Sequence, residues 1–132
     1  MTVEHVLAWL KTLQTKPEHY YAGMLNSKKD KSFGVYQLGE RRERTIAIGG
    51  SGNTKTGIKG ISILVHWNSS SRETENAAAN LYANIAAASS PLIGGKKVDY
   101  IKLIHDEPID VGTDENGIFE RVIELAIYYE RN

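Results

Sequence analysis

The sequence predicts an α+β domain: an antiparallel β-sheet with two α-helices packed on one face. Three observations carry this. Apolar residues recur at helical spacing in two segments, near the N-terminus and again over about 71–88. Period-two alternation marks two long strands, Ile58 to about Trp67 and Ile118 to about Arg131. The chain has 132 residues with no internal repeat, low-complexity tract or dividing linker, so residues 1–132 read as one domain.

The elements follow in order. Thr2 is a helix N-cap, after which Val3, Val6, Leu7, Leu10 and Leu13 form one apolar stripe. Thr15-Lys16-Pro17 stops this helix, because proline disfavours a helical residue before it. Tyr20–Leu25 and Phe33–Gln37 read as short strands. The polar run Asn26–Lys31 between them predicts a hairpin. A charged cluster, Glu40–Arg44, precedes a strand at Thr45–Ile48. Gly49, Gly50, Gly52 and Gly57 define a glycine-rich loop expected to be mobile in the free subunit and ordered on assembly, since fixing glycine costs the most entropy.

In the strand that follows, Ile61, Ile63, Val65 and Trp67 point one way and Gly60, Ser62, Leu64 and His66 the other. Ser70 and Glu73 form an S-x-x-E capping box for the second helix, whose packing face is Ala78, Leu81, Tyr82, Ile85 and Ala88. Leu81, Ile85 and Ala88 are expected against Ile61, Ile63, Ile123 and Leu125. Pro91 and Gly94-Gly95 break the helix. Val98–His105 and Ile118–Arg131 close the sheet, with an acidic loop between them.

Composition excludes several chemistries. There is no cysteine, hence no disulfide, thiolate metal site or cysteine nucleophile. No apolar run reaches the roughly 18 residues of a membrane helix. Glu4 and His5 interrupt the N-terminal segment, which reads as an amphipathic helix rather than a signal peptide; a soluble, non-secreted protein is expected. Gly50–Thr56 lacks the glycine before Lys-Thr that a phosphate loop needs, and a strand rather than a helix follows it. In the acidic loop, Pro108 and Val111 occupy positions three and six of any calcium-binding register that starts at Asp106. The run Asp114–Gly117 reads instead as a turn.

His5, His19, His66 and His105 show no metal-ligand spacing; His66 and His105 are placed on neighbouring strands, hydrogen-bonded or half-exposed. The serine clusters cap or terminate the second helix, and none lies in a nucleophile elbow. Glu120 and Glu124 read as a solvated strand face. The expectation is therefore no catalytic residue, no metal site and no cofactor.

Charge is distributed unevenly within a neutral chain. Lys16–Lys59 holds nine basic and four acidic residues, a net +5; Asp99–Asn132 holds three basic and nine acidic, a net −6. The two segments read either as solvated loops that differ in sign or as complementary patches on neighbouring copies.

One resemblance spans roughly residues 20–131. Gly49-Gly50, Ile61–Trp67, Glu73-Thr74-Glu75 opening a helix, Glu107-Pro108, Val111–Gly117 and the final strand Phe119–Tyr129 resemble the minor capsid, or tail terminator, family of long-tailed bacteriophages. The resemblance implies a structural virion protein, not an enzyme. Such a protein forms a ring, usually of six copies, on the last ring of tail-tube subunits at the head–tail junction, after assembly in the bacterial cytoplasm. It implies as partners further copies of the chain, the tail-tube protein and head–tail connectors, with double-stranded DNA only as passing cargo and no membrane. A ring needs two unlike patches on each copy. Lys28, Lys29, Arg41, Arg42 and Arg44 are the candidates for one, and Asp106, Glu107, Asp110, Asp114 and Glu115 for the other. A lining for the ring's lumen is the rival use of the acidic loop. A head-side connector or stopper at the portal, and a small α+β enzyme, remain as alternatives.

Overall fold

The computed structural model describes residues 1–38 and 55–131. The expected strand Thr45–Ile48, the arginines Arg41, Arg42 and Arg44, and Gly49, Gly50 and Gly52 lie outside the described residues. Chain order is α1 (Val3–Leu10), β1 (His19–Ala22), β2 (Ser32–Gln37), β3 (Thr56–His66), α2 (Ser71–Ala87), β4 (Leu92–Ile93), β5 (Lys96–Leu103), β6 (Ile109–Thr113) and β7 (Phe119–Glu130). The strands form one sheet in the order β1-β2-β3-β7-β5-β4, and β6 also pairs with β7.

The longest strands, β3 and β7, form an antiparallel spine in unbroken register from Thr56↔Glu130 to His66↔Glu120. On its other edge β7 carries β5 at one end and β6 at the other. These two are one strand interrupted by the excursion between them, since the amide of Ile104 still donates to the carbonyl of Glu124.

Register decides the two faces. Phe33 pairs with Val65, Val35 with Ile63, Ile61 with Leu125 and Ile63 with Ile123. These residues share one face and are buried in a single cluster with Val6 and Leu10 of α1 and Ala78, Leu81 and Ile85 of α2. Both helices therefore cover the same face, as the pattern predicted, with Ala88 half-buried at the cluster's edge. Trp9, outside the predicted stripe, is buried as well.

The caps are built from side chains. Thr2 accepts from the amide of His5, whose Nδ1 accepts from the Thr2 amide, so histidine plays the part usually taken by glutamate. At α2, Ser70 accepts from the amide of Glu73, but the return half of the predicted box is absent. Asn68 replaces it: its Oδ1 accepts from the Ser70 amide and its Nδ2 donates to the Glu73 carboxylate.

Four expectations need correction. The sheet is mixed rather than antiparallel: β1 and β2 are parallel, His19↔Ser32 to Ala22↔Val35, so residues 23–31 are a crossover and not a hairpin. With β1 only four residues long, this loop suffices to return the chain to its start, and Gly23 at φ +82° makes the first reversal. The acidic loop contains β6. Gly94-Gly95, read as a helix breaker, is a tight hairpin turn between β4 and β5, with both glycines at positive φ. Gly57 belongs to β3, opposite Tyr129, and an added Cβ would lie 2.5 Å from the Cζ of that ring.

Candidate functional site

The face of the sheet turned away from the helices carries Tyr36, Ser62, Leu64, His66, Glu120, Val122, Glu124, Ala126 and Tyr128. Their alternation with the core residues fixes this side. Apart from His66 these side chains are partly exposed, and Tyr100 and Tyr128 stack at 4.4 Å across β5 and β7. At one end the β1–β2 crossover folds over this face. Leu25 packs above Gly34, where any side chain would collide with the Tyr36 ring. Burial raises the Tyr36 hydroxyl's pKa; a backbone hydrogen bond at Leu25 lowers it and the nearby Glu120 carboxylate raises it further.

Under that crossover lies His66, fully buried on the open face. Its Nε2 is 3.0 Å from the Ser27 carbonyl oxygen, and its Nδ1 is 2.7 Å from Glu120 Oε2, the residue directly across the β3–β7 ladder. Asp114 approaches from the β6–β7 turn. Its Oδ1 accepts from the amides of Asn116 and Ile118 and so shapes the turn. Its Oδ2 is buried, 3.8 Å from His66 Nδ1, with no hydrogen-bond partner among the described residues. One imidazole thus joins the crossover, β3, β7 and the final turn.

His105 makes a separate site. β7 stands between β3 and β5, so the two histidines are not on neighbouring strands, but both are hydrogen-bonded, as expected. His105 Nε2 is 3.0 Å from Glu124 Oε1, while its backbone carbonyl accepts from the Tyr82 hydroxyl of α2 at 2.6 Å. Glu120 and Glu124, read as a plain solvated face, each hold a histidine. Beside His105, a cleft of about 390 Å³ opens between Asp106–Asp110 and Arg121. Arg121, on the helix side, pairs with Asp110 at 3.5 Å and approaches Glu75 of α2 at 4.0 Å.

The charged candidates fall into two places. Lys28 and Lys29 are exposed in the crossover, next to Ser27, and the turn holding Asp114 and Glu115 lies at the same end of the sheet. Asp106, Glu107 and Asp110 line the cleft at the β5–β6 edge. Asp110 is already paired within the chain and Asp114 is engaged in its turn. Asp106, Glu107 and Glu115 are exposed and form no ion pair among the described residues. Sequence reasoning missed the His66–Glu120 pair. Alternation puts His66 and Glu120 on the same face, but a two-residue slip of one strand keeps every apolar residue on its side, so the register that sets 66 opposite 120 is not written in either strand alone.

Residues 6–131 match the profile of a family described as bacteriophage tail terminator protein. No curated protein matches the chain.

Proposed function

The chain belongs to the bacteriophage tail terminator family and is a tail-related structural protein of the virion; from that premise we propose that its copies close into a ring on the last ring of tail-tube subunits. The ring stops tube growth and offers the surface on which the head docks, placing the protein at the head–tail junction after assembly in the host cytoplasm. The observation that carries this reading is the family match over residues 6–131, nearly the whole chain.

Charge supports it. A closed ring joins unlike patches, so each copy needs two complementary surfaces. Lys28 and Lys29 at one end of the sheet, and Asp106 and Glu107 beside the cleft, are exposed and make no ion pairs among the described residues, so they remain available to a neighbour. The partners are five further copies in a hexamer, the tail-tube protein below and a connector above, with DNA passing through the lumen.

Electron microscopy of tails assembled without the protein tests the reading. Overlong tubes are expected. Tubes of normal length accompanied by leaking heads would move the protein to the head side, as a connector or stopper.

A further inference from the structure

We propose that His66, Glu120 and Asp114 form a binding site for one divalent transition-metal ion of the zinc type, which pins the β6–β7 turn to the sheet beneath the β1–β2 crossover. Ser27 sets the chemistry. A carbonyl oxygen only accepts, so His66 Nε2, 3.0 Å away, carries a hydrogen. In the neutral imidazole the Nδ1 lone pair then points at Glu120 Oε2, 2.7 Å away. Two Lewis bases at that distance repel unless a proton or a cation sits with them.

Asp114 decides between the two. A proton on Nδ1 satisfies Glu120 but leaves Asp114 Oδ2, 3.8 Å from Nδ1, buried and without a donor among the described residues. A metal ion drawn in between would engage all three atoms, which lie within 4.8 Å of one another, once Nδ1 and Oε2 part from 2.7 Å to the roughly 3.3 Å that separates two ligands on a tetrahedral zinc. One imidazole and two carboxylates suit zinc or its neighbours, with water completing a tetrahedron. A backbone carbonyl on the second ring nitrogen is the outer-shell partner that orients a metal-bound histidine. The three ligands come from β3, from β7 and from the turn before β7. The ion would therefore tie the β6–β7 turn to the β3–β7 spine, and the crossover would share in this only through the Ser27 carbonyl on His66 Nε2.

The experiment uses the full chain, freed of metal by chelation and titrated calorimetrically with Zn²⁺, with Mg²⁺ as the hard-ion control. One Zn²⁺ per chain is expected, with little response to Mg²⁺. A melting temperature raised by roughly 5–10 °C at a hundredfold excess over Kd should accompany it. Outer-shell partners alone contribute about 10–100-fold in affinity, so Glu120→Gln should weaken Zn²⁺ binding by about 100-fold or more. Asp114→Asn keeps the Oδ1 acceptor that shapes the turn, so this variant folds while losing a ligand. Circular dichroism checks the fold of each variant. Absence of saturable Zn²⁺ binding, or binding unchanged in both folded variants, overturns the proposal and leaves His66 a buried imidazole bridged by a proton.

Discussion

The two faces of the sheet are made from the same strands and do different work. Under the helices, Phe33, Val35, Ile61, Ile63, Val65, Ile123, Leu125 and Ile127 are buried almost completely, all aliphatic except one ring. On the other face, one position along each strand, stand Tyr36, Leu64, His66, Glu120, Glu124 and Tyr128, mixed in chemistry and mostly half-exposed. The comparison teaches where stability resides. The covered face holds the fold together by removing apolar area from water. The open face carries a mixture of polar, ionisable and apolar groups, and the polar crossover covers one end of it.

The largest expected effect follows from that division. Leu81→Ala, which opens a cavity among fully buried neighbours, should cost about 2–5 kcal/mol. Leu64→Ala on the open face, where the side chain is partly exposed, should cost clearly less. Urea denaturation of both variants checks this, and equal costs would mean that something covers the open face in solution. Next in size is Gly94→Ala. Gly94 sits at φ +60°, and a Cβ there collides with the His5 ring that caps α1. Strain at the β4–β5 turn and damage to the cap together should cost about 1–3 kcal/mol.

Tyrosines sharpen the comparison further. Tyr20 packs edge-on against Phe33 on the covered face, and its hydroxyl is buried without a hydrogen-bond partner among the described residues. Tyr36, on the open face, has its bond at Leu25. Burial raises both hydroxyls above the ordinary value of 10.0 in the folded chain. The unfolded chain therefore loses these protons first. Their contribution to stability is complete below about pH 10 and is lost as pH climbs through the raised folded values. The melting temperature should be flat with respect to these groups at neutral pH and fall in alkali. Tyr20→Phe should leave neutral-pH stability unchanged or slightly higher, since it removes an unsatisfied group, and should soften the alkaline fall. Tyr36→Phe should cost about 0.5–1.5 kcal/mol, the net worth of one hydrogen bond.

The covered face was legible because burial leaves a period. Ile61, Ile63 and Val65 alternate cleanly, as do Ile123, Leu125 and Ile127, and α2 announces itself by its serine cap and spaced apolar residues. The parallel β1–β2 pair was not legible. A polar run such as Asn26–Lys31 turns a hairpin or returns a crossover equally well; the parallel register, which sets Tyr20 beside Phe33, is a tertiary property. β6 was hidden because Asp110, Val111 and Thr113 are exposed, which erases the alternation while backbone pairing to β7 persists. The histidine centre depends on register, a property of two strands together. His66 and Glu120 are 54 positions apart, and neither residue's neighbours in sequence mention the other.

The smallest expected effect per contact concerns the rims, where copies would meet. If Lys28 and Lys29 of one copy face Asp106 and Glu107 of the next, each exposed pair contributes only about 0–1 kcal/mol, because water and salt screen it. Complementarity then fixes orientation more than affinity, and a ring multiplies a small term by its number of interfaces. Raising salt from about 0.05 M to 0.5 M shortens the Debye length to below about 5 Å, which should shift the assembled fraction toward free subunits in light scattering. Reversal of Asp106 and Glu107 to lysine should do the same, with partial recovery when Lys28 and Lys29 are reversed to glutamate. Asp110 serves as the internal control. It is already neutralised by Arg121 within its own chain, so Asp110→Ala should trim stability by at most about 1 kcal/mol and leave the salt response of assembly in place. Assembly indifferent to salt and to both reversals would assign the acidic edge to the lumen, where negative charge keeps passing DNA from adhering, and would leave subunit contact to the open face of the sheet.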